Sequence, residues 1–374
     1  MKKEPKWLSL IFCGTFAALL IGFGIWVTVK APSLVSYSER RELSAKPVLT
    51  VESVTNGKFF TAGEKYLLDQ FPMRDTFRRI KAVCRRTFFR QTDDHGIVLF
   101  GGSAVQIETP TEKDVGIFFK RLNRYEEICE NAAKNVSFYT TLIPDKMAFI
   151  REEIGYPTVD YDALRNRLSE EAPGKYVDIF DLLSLDDYYR TDTHWKQEEI
   201  IDVADVILAG MGVETNGEVS FSEPLSPFYG VYYGQSALPL EPDSITTVHS
   251  GIIDGSTVWR ANRNSTALEE GSVYVPEKMT AEDPYDVYLG GLCTVTVLEN
   301  PLSESGKTLA MFSDSFGRSL APLLIAGYDR IVIYDARYMS LAGMFSLVPL
   351  TDGTDVLFAY SISTVDSADT LFAK

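Results

Sequence analysis

Apolar positions follow three regimes along this chain. The first is one unbroken run, residues 7–29, which holds no charged residue and at about 23 residues is long enough to cross a bilayer as a helix. In the second, short apolar runs alternate with stretches of helical period; it occupies residues 96–209 and resumes at 308–360. Between these, at about 212–305, the period is lost and Gly, Pro, Ser and Thr rise.

Before the first strand-like run, Thr61-Ala-Gly-Glu64 has the form of a capping box and predicts a helix ended by Pro72. Residues 74–89 read as an amphipathic helix with Phe77, Ile80, Cys84 and Phe88 on one face. Its arginines (74, 78, 79, 85, 86 and 90) form a basic surface, either solvated or set against anionic lipid or polymer. Strands are predicted at 96–100 and 136–143, with a long helix between them marked by Phe118, Leu122, Tyr125 and Ile128. The second strand runs into Pro144-Asp-Lys146. Ligands gather at strand carboxyl ends in open α/β sheets, so Lys146 is either a site residue or a surface lysine. A helix at 161–170, a strand at 176–180 and a helix at 197–209 follow. Strands return at 308–312, 329–334 and 355–360, and short β-like runs at 256–260 and 294–298 lie in the aperiodic region. Such alternation predicts a three-layer α/β domain over residues 55–374, with a mostly parallel sheet and a mixed, mainly β insertion at about 212–305.

The ends of the apolar run decide its meaning. Lys2, Lys3 and Lys6 precede it, which places the N-terminus in the cytoplasm. Val29-Lys30-Ala31 has the small-x-small form of a cleavage site, but Pro32 follows directly and the run is long for a signal peptide. Residues 1–30 are therefore expected to be an uncleaved anchor, residues 31–54 a polar tether, and the rest extracytoplasmic. A net charge of −16 with no concentrated basic tract argues against nucleic acid as a partner. The four cysteines show no metal-ligand spacing and predict buried thiols or at most one disulfide.

Two stretches carry candidate chemistry. In residues 308–322 an apolar strand passes through Ser313-Asp-Ser315 into a helix, so Ser315 sits on a tight strand-to-helix turn beside free backbone N–H groups. That suits a nucleophilic serine with an oxyanion site, though a helix cap has the same signature. Asp314 reads as a turn former. The second stretch is Tyr188-Tyr-Arg-Thr-Asp-Thr-His-Trp195, which contains one of only three histidines. Residues i and i+2 of an extended backbone point the same way, so Asp192 can orient His194 while the other ring nitrogen faces a serine. The plainer reading makes Asp192 the N-cap of the next helix. His95 and His249 have no acidic or thiol partners at ligand spacing and receive no role.

Asp192-Thr-His-Trp195 together with Ser313-Asp-Ser-Phe316 resembles the DHHW protein family and the related alginate O-acetylation proteins, within the wider SGNH-hydrolase-like group. Residues 66–75, 228–234, 286–291 and 334–338 support the resemblance, which covers nearly all of the chain beyond the tether. It implies an SGNH-like fold with Ser315 as nucleophile, His194 as general base and Asp192 as its orienting acid. It also implies O-acetyl transfer or removal on extracytoplasmic polysaccharide without a cofactor, with a multi-spanning membrane acyltransferase as partner. Thr193 replaces the second letter of the motif, as in the alginate branch. Arg318 and Leu292 stand where asparagine is expected.

On that reading the oxyanion is held by backbone N–H groups at the start of the helix after Ser315. Trp195 is a candidate to flank a sugar ring or to be a buried aromatic. Arg337 and Tyr338 are candidates to line the cleft, against a structural Asp335–Arg337 ion pair. The competing class is a non-catalytic envelope scaffold or glycan-binding protein that retains the fold. A metal-dependent hydrolase is weaker, since one histidine near one acid does not make a metal site.

Overall fold

The computed structural model of the chain describes residues 6–369 apart from Tyr37, Thr215, Asn216, Arg263 and Thr266. Two units emerge. One comprises the chain up to Thr92 together with Gly234–Pro239, the other Asp93–Tyr233 with the chain from Leu240 on.

In the first unit the apolar run forms α1 (Lys6–Val29). Within it, Ser9–Val29 is a helix long and apolar enough to cross a membrane. Two further helices matter, α2 (Lys58–Asp69) and α3 (Arg74–Thr87). α2 starts three residues before the predicted Thr61 cap, because Gly57 in the left-handed region opens the helix and Asn56 Oδ1 takes the Lys58 N–H at 3.0 Å. Residues 31–54, read as a tether without period, are held by side chains. Gln70 exchanges hydrogen bonds with the Ser33 backbone at 2.9 and 2.8 Å, and Asp69 accepts from Arg41 and from the Ser44 N–H at 2.6 and 2.8 Å. The apolar face predicted for α3 does not face a core: Phe77, Ile80 and Phe88 are exposed.

The second unit is built on eight strands: β1 (Ser137–Ile143), β2 (Lys175–Tyr176), β3 (Thr257–Ala261), β4 (Glu269–Gly271), β5 (Val295–Glu299), β6 (Thr308–Ser313), β7 (Arg330–Tyr334) and β8 (Asp355–Ser361). Their spatial order is β4-β3-β5-β7-β6-β8-β1-β2. The five strands from β7 to β2 pair in parallel, and β5, β3 and β4 extend the sheet antiparallel. Residues 212–305 thus supply three strands to the sheet's antiparallel edge. Period-two alternation explains the three layers. Leu309 and Met311 of β6 face one core, with α6 (Ile201–Gly210) and α7 (Gly317–Leu324). Ala310 and Phe312 face the other, with α4 (Glu112–Ala132), α5 (Tyr161–Glu171) and α8 (Leu341–Leu347). The fold is the predicted three-layer, mostly parallel α/β architecture.

Two elements are shorter than predicted. The strand at 176–180 pairs only at β2, because the Asp178 carboxylate takes the Phe180 N–H at 3.1 Å and turns the chain into a short 3₁₀ segment. The helix predicted from 197 opens as the 3₁₀ turn Gln197–Glu199. The Gln197 side chain is buried there, bonding the Ser319 carbonyl and the Val248 N–H, each at 2.9 Å.

Candidate active site

Ser315 is presented by a turn that has almost no freedom. β6 ends at Ser313 and α7 begins at Gly317, which leaves three residues to reverse direction. Asp314 fixes them from beneath. Its Oδ1 accepts the Phe316 N–H at 3.0 Å, and its Oδ2 accepts the Ser361 N–H, the Ser361 hydroxyl and the Thr364 hydroxyl at 2.9, 2.7 and 2.7 Å. Asp314 is therefore the expected turn former and also a clamp to the end of β8. Gly317 is required by space, since a Cβ there would lie 2.1 Å from Ser313 Oγ. Ser315 is left half-buried at the carboxyl end of a central strand.

The histidine arrives on a closed loop. Tyr188 and Trp195 bridge antiparallel, and the Tyr189 N–H donates to the His194 carbonyl at 3.1 Å. The loop is held from outside by Asp243, which accepts the Thr191 N–H and hydroxyl at 2.8 and 2.6 Å. Asp192 is fully buried. It does not cap the next helix. Its Oδ1 takes His194 Nδ1 at 2.6 Å and the His194 N–H at 3.1 Å, while Oδ2 takes the Val231 N–H at 2.7 Å. Gly230 lets the Val231 backbone approach, because a Cβ there would fall 2.3 Å from the Asp192 Cβ. A carboxylate on Nδ1 selects the tautomer whose Nε2 carries a free lone pair. That Nε2 lies 2.7 Å from Ser315 Oγ.

Two further side chains hold the imidazole, and motif reading missed one of them. The Tyr285 ring stacks on His194 at 3.8 Å between centroids and 8° between planes, and Phe316 closes the other approach at 4.8 Å. Nothing in the local sequence marks Tyr285 except its place beside the 286–291 stretch. Its hydroxyl donates to Ser319 Oγ at 2.8 Å, as does the Trp195 indole N–H at 2.8 Å. Trp195 is thus no sugar platform. It is fully buried, edge-on to Phe316, and forms part of the floor under the histidine.

Lys146 is not a surface lysine. It is 3% exposed, and its ammonium donates to the carbonyls of Ala104 and Tyr189 at 2.8 and 2.5 Å. The second of these carbonyls belongs to the histidine loop. Burial pushes the Lys146 pKa down to about 7, against the opposing pull of Asp192 and Asp243. Nearby carboxyls shift upward for the same reason. Burial, then the charge of Asp145, raises Glu108 to about 8, and burial raises Asp145 to about 7 although the Tyr161 hydroxyl donates to it at 2.6 Å.

The expected oxyanion donors are largely engaged. The N–H groups of Phe316, Gly317 and Arg318 bond Asp314 Oδ1, the Asp314 carbonyl and the Ser315 carbonyl at 3.0, 3.2 and 3.3 Å. The Ser315 N–H is without an acceptor among the described residues. Arg318 pairs with Asp286 at 2.6 Å, and its cation lies 5.4 Å from the centroid of Tyr285, the ring that covers His194. Leu292 is exposed. Arg337 is held in a two-pronged ion pair with Asp335 at 2.8 and 2.6 Å, over the ring of Tyr338, which is the structural pairing rather than an open cleft wall. His249, given no role, does have an acidic partner in Asp254 at 2.6 Å, with Thr247 on its other nitrogen at 2.9 Å. Among the described residues no group of three metal-ligating side chains converges.

No protein-family model and no curated protein matches the chain. Solved structures do. A DHHW family protein from Eubacterium siraeum is 17% identical over 75% of this chain and 98% of its own, with a TM-score of 0.56. Bacillus cereus PatB1 is 15% identical over 72% of this chain and 96% of its own, at 0.58. The same protein with a sulfonyl adduct covers 74% and 98% at 15% identity and 0.57. At such identities the likeness speaks for the fold, and it coincides with the motif resemblance: this chain shares the α/β fold of the DHHW family protein from Eubacterium siraeum.

Proposed function

We propose that the chain is a serine-dependent O-acyl transferase or esterase that acts on cell-surface polysaccharide from the outer side of the membrane, with α1 as its anchor. The observation that carries this reading is the unbroken relay from Asp192 through His194 to Ser315, at 2.6 and 2.7 Å. Ser315 Oγ attacks the acyl carbonyl while His194 Nε2 takes its proton. The oxyanion meets the Ser315 N–H. Asp192 stabilises the imidazolium, which then protonates the departing alkoxide and leaves an acyl ester on Ser315. A sugar hydroxyl, or water, gives its proton to His194 and attacks that ester. The product leaves with the acyl group, and Ser315 regains its proton. Acetyl as the acyl group, a polysaccharide acceptor and delivery by a multi-spanning acyltransferase follow from the family resemblance.

PatB1 has been solved with a sulfonyl adduct, and sulfonyl fluorides test the same proposal here. Full-length protein in detergent should gain one sulfonyl group, found on Ser315. His194→Ala should slow the labelling and Ser315→Ala should abolish it. With 4-nitrophenyl acetate as donor, hydrolysis should be slow, because a small ester lacks the contacts that would position a polymer. An unacetylated glycan should divert acetyl groups onto sugar if the protein is a transferase. Wild-type ester turnover in Ser315→Ala would overturn the proposal and leave the scaffold reading.

A further inference from the structure

The first unit carries a surface that the proposed chemistry does not use. On α3, Phe77, Ile80 and Val83 recur at helical spacing and are 43, 54 and 37% exposed, and Phe88 just beyond the helix is 77% exposed. On α2, Phe60, Leu67 and Leu68 are 62, 53 and 63% exposed. An apolar groove of about 590 Å³ lined by Pro47, Phe59, Phe60, Leu67 and Phe71 runs beside them. Soluble surfaces rarely gather so many large apolar side chains in one place.

We propose that this face of α2 and α3 lies in the interfacial zone of an anionic membrane leaflet, the one at the carboxyl end of α1. Position is the first argument. Phe23 of α1 stacks on Phe71 at 5.1 Å and meets Phe77 edge-on at 6.1 Å, and Val27 is buried in the same unit. Phe23 lies six residues before the end of α1, which is about 9 Å along the helix axis and the depth at which amphipathic helices settle in a leaflet. The exposed stripe of α3 starts at Phe77, so it continues the apolar surface of the span without a break. Charge is the second argument. The chain is acidic overall, at −16, yet residues 74–90 hold seven Arg and Lys against a single Asp. Of these, Arg79, Lys81, Arg86 and Arg90 are exposed, a pattern suited to lipid phosphates around a buried apolar stripe.

The inference rests on α1 as an anchor and is independent of the serine chemistry. Full-length protein in nanodiscs of 3:1 phosphatidylcholine and phosphatidylglycerol tests it. A fluorophore would be placed on one cysteine at a time: native Cys13, Ile80→Cys or Phe88→Cys, with the other accessible cysteines changed to Ser. Lipid brominated in the upper acyl chain should quench the probes at 13, 80 and 88 at least twofold relative to the same nanodiscs without bromine. Without phosphatidylglycerol, quenching at 80 and 88 should fall by half or more, and no such fall would overturn the role given to the arginines. Quenching at 13 with none at 80 and 88 would overturn the docking surface while leaving the anchor. No quenching at 13 would remove the anchor and this inference together.

Discussion

Asp192→Asn isolates the tautomer at the centre of the proposed mechanism, because asparagine fits the site without changing its shape. The carboxylate accepts from His194 Nδ1 at 2.6 Å, the His194 N–H at 3.1 Å and the Val231 N–H at 2.7 Å. Asparagine offers one carbonyl oxygen and one NH2. Turned toward Val231, the NH2 would oppose a backbone N–H in a fully buried site, leaving donors unsatisfied at a cost of about 1–3 kcal/mol. Turned toward His194, it moves the imidazole proton to Nε2, which then faces Ser315 as a donor and cannot accept its proton. Either way the charge-assisted bond that supports the imidazolium is lost, worth about 1.5–3 kcal/mol. The two effects together raise the barrier by about 3–6 kcal/mol, a fall of roughly 10² to 10⁴ in kcat. Steady-state hydrolysis of 4-nitrophenyl acetate by the protein in detergent should show this fall with KM changed less than about threefold. A folded variant, matched to wild type by circular dichroism, that kept kcat within tenfold would refute the assignment of Asp192.

Gly317→Ala should lower the unfolding midpoint and the rate together, because its Cβ would meet Ser313 Oγ at 2.1 Å and Ser313 Cβ at 2.6 Å, and that Cβ is fixed to the buried end of β6; thermal unfolding and ester turnover check it, and an unchanged Tm would show that the turn yields. Lys146→Met leaves the carbonyls of Ala104 and Tyr189 without their buried donor, at about 1–3 kcal/mol each before the gain from removing a poorly solvated ammonium. Denaturant unfolding should move by about 1–4 kcal/mol, and stability equal to wild type would show that the lysine does not hold the histidine loop. Glu108 retains its proton in the folded chain up to about pH 8, whereas the unfolded chain releases it in the ordinary carboxylate range. Its contribution to stability is complete below that range and is lost as pH rises through 8. Glu108→Gln has no such loss, so its stability relative to wild type should climb from pH 5 to pH 8; a flat difference in Tm would contradict the buried-carboxyl reading.

What could be read from residues alone had a repeating physical signal. Leu309 to Phe312 and Ile331 to Tyr334 are apolar at every position because both faces of a parallel sheet are covered, and the span at the N-terminus stands out by length. The Asp-x-His spacing worked because the loop between Tyr188 and Trp195 does place residues 192 and 194 on one side. What escaped depended on contacts distant in sequence. Tyr285 reaches His194 from about ninety residues away. Lys146 looked like a surface charge until the Ala104 and Tyr189 carbonyls closed over it. Local competition misled in the other direction: Asp178 ended a strand early, Gly57 moved a helix start, and α3 buried no apolar face despite its amphipathic spacing.

The place of β8 in the sheet sets the order in which this protein can be born. β8 lies between β6 and β1, pairing with β1 along its whole length and with β6 from Asp355 to Ala359, yet among the described strands it comes last, about two hundred residues after β1. Until it emerges from the ribosome, the two halves of the sheet have no seam to share, and Asp314 has neither Ser361 nor Thr364 to grip. A stalled or prematurely released chain that ends before Asp355 would contain Ser315, His194 and Asp192, and Asp314 would keep only the Phe316 N–H with which to hold the turn that carries Ser315. The turn that carries Ser315 thus waits on residues 355–364 to be made: its clamp cannot close onto a strand end that does not yet exist.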